Sequence, residues 1–143
     1  MISAIIQLKE QAEKKFTELE LPAFNHGKGF ALNITVDWEK VFAEMQRAED
    51  PKIIADGRVK VCKLSELGDD FIAKYAQKLV PAENKLLALH YATNPDATVI
   101  IIPKDTVVEE AIVINAIAKG TASAENIIVV AEEGANATIL ENT

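Results

Sequence analysis

A single cysteine, Cys62, leaves no way to form an internal disulfide, and no run approaches the roughly 18 apolar residues that a membrane-spanning helix needs. The first residues, Met1 to Ile6, lead directly into Lys9, Glu10 and Glu13. They lack the basic region, long apolar stretch and small-residue cleavage site of a secretory signal. Basic residues are in the minority, 15 against 22 acidic, for a net charge of −7. A surface of that sign repels phosphate backbones and anionic lipid, which argues against nucleic acid and membrane as partners. These absences lead us to expect a cytoplasmic chain. What is present suits a folded core: 49% of the 143 residues are apolar, enough for one modest domain or a small domain joined to the start of a second.

A further absence divides the chain. No aromatic residue, histidine or cysteine occurs from Ala97 onward, whereas Val, Ile and Thr make up 20 of those 47 residues. That bias favours strands. The same stretch holds Lys104 and Lys119 against Asp105, Glu109, Glu110, Glu125, Glu132, Glu133 and Glu141. A boundary at Asn94-Pro95-Asp96 follows, giving an N-terminal mixed but mainly helical domain over residues 1–96 and a β-domain over 97–143.

In the first part Ile2, Ile5, Ala12, Phe16 and Leu19 recur at helical spacing, and Pro22 ends that helix. A loop at Asn25-His26-Gly27-Lys28-Gly29 leads to an extended run, Phe30 to Val36. Asp37 reads as an N-cap for a helix burying Trp38, Val41, Phe42 and Met45, broken by Asp50-Pro51. Ile53-Ile54 and Val59 to Leu64 read as extended around a turn at Asp56-Gly57. Ser65 is placed to cap a helix that turns Phe71, Ile72, Tyr75 and Leu79 inward, and Pro81 to open another through His90 and Tyr91. In the second part, Val99 to Val108 and Ile128 to Ala137 resemble each other at an offset of about 29 residues, with Asp105 matching Gly134 at the turn. A strand–corner–strand unit recurring at 20–50 residues is the mark of a solenoid, although a small sandwich shows similar alternation.

Candidate chemistry is sparse. His26, Cys62 and His90 stand singly, without the spacing of a metal motif, so a metal site requires all three to converge. The 25–29 loop lacks the phosphate-binding pattern of glycines followed by Lys-Ser/Thr. Glu109-Glu110 and Glu132-Glu133 could be taken for the carboxylates of a sugar-cleaving enzyme. Neighbours on a strand point to opposite faces, however, so neither dipeptide is itself a catalytic pair. Ser65 and Ser123 lack a nucleophile elbow, and two histidines make a triad unpersuasive. We therefore assign no catalytic, cofactor-binding or metal residue and expect a non-enzyme.

Five segments stand in a familiar order. Leu19-Glu20-Leu21-Pro22 is a Leu-Pro element after the first helix, Gly57 to Leu67 a short strand leading into a helix, and Asn84 to Ala92 a Lys- and Leu-bearing helix. Ile102-Pro103-Lys104-Asp105-Thr106-Val107-Val108-Glu109-Glu110 resembles a Val-Pro-Lys-Gly-Val-x-Val-Glu-x signature, and Val129 to Ala135 an Ile-Val-Ala-Glu-Glu-Gly-Ala one. In their order these segments resemble the SufB/SufD family of iron–sulfur cluster assembly proteins, SufD more than SufB. Asp105 replaces the family's glycine, and Ala111 its proline. The resemblance implies an α+β chain: a helical domain, then the first rungs of a right-handed parallel β-helix. It implies a scaffold that works with a SufB/SufD-type paralogue and a SufC-type ATPase, the cluster being held only by the assembled complex. Family members are several times longer, and their cluster-building and ATPase-contacting regions have no counterpart here. No functional residue is therefore carried over. Two rungs bury too little alone, and the chain is still written as strand at Ala137 to Thr143, so a homodimer or edge-paired state is expected. The alternatives are a small β-solenoid enzyme acting on sugars or organic acids, and a short accessory protein.

Overall fold

Helical periodicity at the N-terminus forms α1, Ile2–Glu18, in the computed structural model, which describes residues 2–21 and 37–142. The expected stop at Pro22, the 25–29 loop and the extended run 30–36 lie outside the described residues. One face of α1 serves two clusters. Ala4, Ile5 and Leu8 pack on Leu64, Leu67, Ile72 and Val99, while Ala12 and Phe16 pack with Ala88 and Tyr91 of α4, Lys85–Thr93. Small residues bring the two helices close: Ala12 is 1% exposed and Ala88 fully buried. Lys85 fastens the junction, its backbone N–H donating to the Glu20 carbonyl at 2.8 Å and its ammonium to the Phe16 carbonyl. A cation near a helix C-terminus is favourable because the last carbonyls lack intrahelical partners.

Asp37 does cap a helix, α2 (Trp38–Glu44), its carboxylate accepting the Lys40 N–H at 3.2 Å. That helix is shorter than expected, and Met45 already belongs to β1, Met45–Arg47. Pro51 lies inside a strand, β2 (Glu49–Ile54), rather than ending a helix. The register of β2 against its partner shifts between Glu49 and Lys52, as suits a residue with no N–H to donate. After the turn at Asp56-Gly57 comes β3, Lys60–Lys63, then a single 3-10 turn at Leu64–Glu66 and α3, Asp69–Tyr75. The remaining strands are β4 (Thr98–Ile102), β5 (Ile112–Ile117), β6 (Ala122–Ala124), β7 (Ile127–Ala131) and β8 (Ile139–Asn142).

The expected start of a parallel β-helix is not what these strands build. They form three small sheets, ordered β1-β6, β2-β5-β8 and β3-β4-β7, and the two larger ones are mixed. β4 pairs in parallel with β7, and β5 with β8, but β3 and β2 close the other side of each pair antiparallel. The described residues therefore contain no solenoid sheet, and the first part supplies β1, β2 and β3 to the sheets as well as all four helices named above. The physical reason is that self-similarity reports only how the repeated pieces pair. The outer partners of β4 and β5 are non-repeating segments that precede residue 97, and nothing in a repeat specifies their direction.

Within that arrangement the similar segments do lie side by side. Val99 is opposite Ile128, 29 residues on, and Ile112 opposite Ile139, 27 residues on. Their corners stack as well. Asp105 and Gly134 both adopt left-handed backbone, at φ 55° and 75°. The Asp105 N–H donates to the Glu133 carbonyl at 2.9 Å, and the N–H of Asn136 to the Thr106 carbonyl at 2.9 Å.

β4 is buried on both faces, which explains its unbroken apolar run. Ile100 and Ile102 meet Ile112 and Ile114 of β5 between the two larger sheets, while Val99 faces the helical layer with Leu64, Leu67 and Ile72. Each of Ile100, Ile102 and Ile112 is at most 2% exposed, and burial of each stabilises the fold by about 1.5–3 kcal/mol.

Candidate functional site

The residues singled out by sequence are dispersed and mostly bound into the fold. Cys62 sits on β3 opposite Val99, half-buried against the helical cluster. Burial pushes its thiol up, away from the thiolate form that nucleophiles and metal ligands need. His90 lies on α4, its pKa lowered from the ordinary 6.5 chiefly by burial, with a hydrogen bond to the Glu125 backbone acting in the opposite sense. His26 falls outside the described residues, as does the 25–29 loop. Among the described residues no group of three or more His, Cys, Asp or Glu side chains is placed to hold a metal ion. A cluster usually takes four thiolates, so this chain's own donors do not fit one.

The carboxylate dipeptides are exposed corners. Glu109 and Glu110 follow the β4 corner, and Glu132 and Glu133 follow β7. Their backbones hold the corners together: the N–H of Glu132 donates to the Ile102 carbonyl at 3.0 Å. Ser65 donates its hydroxyl to Asp96 Oδ2 at 2.7 Å while its backbone N–H reaches Asp96 Oδ1 at 2.8 Å. The Ser123 hydroxyl accepts the Lys119 N–H at 3.1 Å. Neither serine is set up as a nucleophile.

Two features escaped sequence reasoning. Asn94-Pro95-Asp96, read as a domain boundary, is a hydrogen-bonded junction with Asn94 buried. Asn94, 3% exposed, donates to the Ala124 carbonyl at 3.0 Å, and its own carbonyl accepts from the Asn126 side chain at 2.9 Å. The second feature is Glu125, whose carboxyl is pushed up by burial and carries a buried oxygen, Oε2, without a hydrogen-bond partner. It lines a cavity of about 220 Å³ with Ala48, Ala116, Ile117 and Glu141. No motif surrounds Glu125 in the sequence, so the sequence held no signal for it.

Among the described residues, the two larger sheets each end on one side in β2 or β3 and on the other in β8 or β7. β7 and β8 each stand last in their sheet. The N–H of Thr98 donates to the Asn126 carbonyl, and that of Glu132 to the Ile102 carbonyl. Even-numbered backbone groups of β7 therefore turn toward β4, and those of Ile127, Val129 and Ala131 turn outward, by the alternation of a parallel ladder. On β8 the Thr138 carbonyl accepts from Ile112, which turns the groups of Ile139 and Glu141 outward. A slot of about 370 Å³ opens between the two strands, lined by Ile114, Ile127, Val129 and Ile139 with Glu125 and Glu141. On the other face of β7 a cavity of about 150 Å³ lies between Ile128 and the segment carrying Leu79 and Val80.

Elsewhere the charged side chains form local clamps. Asp50 takes Lys63 at 2.9 Å as well as Arg47, and its carboxyl is lowered first by the Lys63 hydrogen bond. Asp56 is held down to about 2 by hydrogen bonds from Arg58, whose guanidinium also reaches the Val107 carbonyl at 3.1 Å. No helix among the described residues is long and apolar enough to cross a membrane. Set beside known proteins, the chain matches no protein-family model, no curated protein and no solved structure.

Proposed function

We propose that this chain is a non-catalytic assembly component, SufB/SufD-like and closer to SufD, of a scaffold on which iron–sulfur clusters are built. Its partners are a paralogue of the SufB/SufD type and a SufC-type ATPase, its compartment is the cytoplasm, and the cluster is cargo of the complex. One observation carries the reading. Two of the segments that carry the family resemblance, Ile102 to Glu110 and Val129 to Ala135, include residues that pair side by side, and their corners meet at Asp105 and Gly134, both at positive φ. Asp105, the departure from the family's glycine, thus occupies a backbone position that favours glycine, which supports treating the two segments as equivalent units.

The test is genetic. Deleting the coding region for residues 1–143 in the source cells is expected to lower the activity of iron–sulfur dehydratases relative to their protein level. Adding iron and sulfide to the extract should restore that activity, which marks the defect as missing cluster. Unchanged dehydratase activity under iron limitation overturns the proposal. A second reading, an enzyme acting on sugars or organic acids, has one observation in its favour: Glu125, with its raised pKa, and Glu141 line the same cavity. Among the described residues no aromatic side chain lines that cavity to stack on a sugar ring. Hydrolysis of a polysaccharide panel that Glu125→Gln abolishes would select this reading.

A further inference from the structure

We propose that the free edge of β7 is a strand-docking site for an extended segment of another polypeptide, apolar in its middle and basic at its ends. The inference rests on reading the chain as an assembly component, but it makes no use of iron–sulfur chemistry.

Three observations converge on this edge. The backbone groups of Ile127, Val129 and Ala131 turn away from β4, and β7 has no strand beyond it among the described residues. An added strand satisfies such groups directly. Side chains of an added strand alternate between the two faces of the sheet, and this edge has a recess on each face. Those on the inner face enter the slot beside Val129 and Ile139, and those on the outer face enter the cavity between Ile128 and Val80. The rim also exposes apolar side chains: Leu79 is 93% exposed, Val80 52% and Val129 37%. Apolar side chains grouped along one edge mark an interaction site.

Charge selects the occupant. From Gly120 to Thr143 the chain has no lysine or arginine and carries Glu125, Glu132, Glu133 and Glu141. Lys78, in the outer cavity, is the one basic side chain lining either recess. A second copy pairing through the same edge brings glutamate against glutamate, whereas lysine or arginine at the ends of a docking strand meets Glu141 on one side and Glu132 on the other. Complementary charge of this kind sets partner choice and association rate.

The test uses the whole chain and a fluorescent peptide of valines and isoleucines flanked by lysines, with a matched peptide in which glutamates replace the lysines. Fluorescence anisotropy is expected to show saturable binding of the lysine peptide, weakened by salt and by about tenfold or more for the glutamate peptide. Val129→Pro removes an outward N–H and none that β4 uses, so it is expected to weaken binding by at least about tenfold while the amides of Ile128 and Val130 stay protected from exchange. Should that variant lose its fold, Leu79→Asp, at a fully solvated position, is expected to weaken binding in the same direction. Absence of binding, or equal binding of both peptides, overturns the proposal. A concentration-dependent dimer in sedimentation that Val129→Pro abolishes overturns it in favour of a second copy. Slow exchange at Val129 and Ala131 in the native protein without peptide overturns it in favour of the protein's own chain. A dehydratase defect with no peptide binding would separate failure here from failure of the assembly reading.

Discussion

Substituting Gly134 by alanine tests the stacked corners most directly. Gly134 has φ 75°, and a Cβ built there lies 2.2 Å from Asp105 Oδ1, 3.2 Å from its Cγ and 3.4 Å from its Cα. Holding an L-residue in left-handed backbone costs about 1–2 kcal/mol. The Asp105 carboxylate is the far end of a side chain and can rotate away, at about 0.5–1.5 kcal/mol for leaving its rotamer. Alanine restricts the unfolded chain more than glycine does, which offsets about 0.4–1 kcal/mol. The net expectation for Gly134→Ala is a loss of about 2 kcal/mol, or on the order of 4–8 °C in Tm for a chain of this size. Urea unfolding followed by circular dichroism measures it, with an unchanged m-value showing that the unfolded state is not the cause. The contact with Asp105 has its own signature. With Asp105→Gly in the background, only the backbone cost remains, and the double variant should be more stable than the sum of single effects by about 0.5–1.5 kcal/mol. Strict additivity would show that the Asp105 side chain is not what the new methyl meets. A Gly134→Ala variant as stable as the parent would refute the stacked geometry itself.

Four other outcomes follow from the packing and the charges. Ile112→Ala, at a fully buried site between the two larger sheets, should cost about 2–5 kcal/mol in urea unfolding. His90, lowered from 6.5 by burial, binds its proton more readily in the unfolded chain. Its contribution to stability is complete above pH 6.5 and is lost as pH falls through the folded value, so His90→Gln should flatten the pH dependence of Tm there. Glu125 is shifted the other way: its raised pKa disfavours the charged form, so its cost appears as pH rises through the folded value and Glu125→Gln should raise Tm at neutral pH. The Asp56 carboxyl should titrate at about 2 by NMR and move back toward 3.8 in Arg58→Ala, the stabilising share of the pair being present above 3.8 and lost as pH falls toward 2.

Local signals in the chain were legible where the backbone rule was itself local. The α1 periodicity, the Asp37 cap, the strand beginning at Val99 and the match of Asp105 to Gly134 all depend on neighbouring residues. Leu79 shows where such reasoning stops. Its helical spacing from Phe71 and Ile72 placed it inward, yet α3 ends at Tyr75 and Gln77 adopts φ 56°, which turns Leu79 into solvent. Nothing about a glutamine announces left-handed backbone. Pro81 likewise suggested a first helical turn, but Asn84 wins the N-cap by accepting the Leu87 N–H at 2.9 Å. The sheets were illegible for a different reason. β1 pairs with β6, and β2 with β5, and no local pattern records a partner so far along the chain. The edge recesses depend on how β5, β7 and β8 pack across from one another and on where the Leu79-Val80 segment lies against β7, so the candidate site was legible only as a strand-like stretch rich in glutamate.

The antiparallel partnership of β2 and β5 also sets a clock. β2 leaves the ribosome roughly 60 residues before β5, an interval on the order of 3–13 s at ordinary rates of synthesis. Throughout it Ile53 and Ile54 have no ladder to join, and Val61 of β3 waits in the same way for β4. Nascent chains carrying the N-terminal half therefore hold these apolar strands without their ladder partners during translation. Yield in a foreign host should depend on how fast the ribosome reaches β5 as much as on the stability of the finished fold.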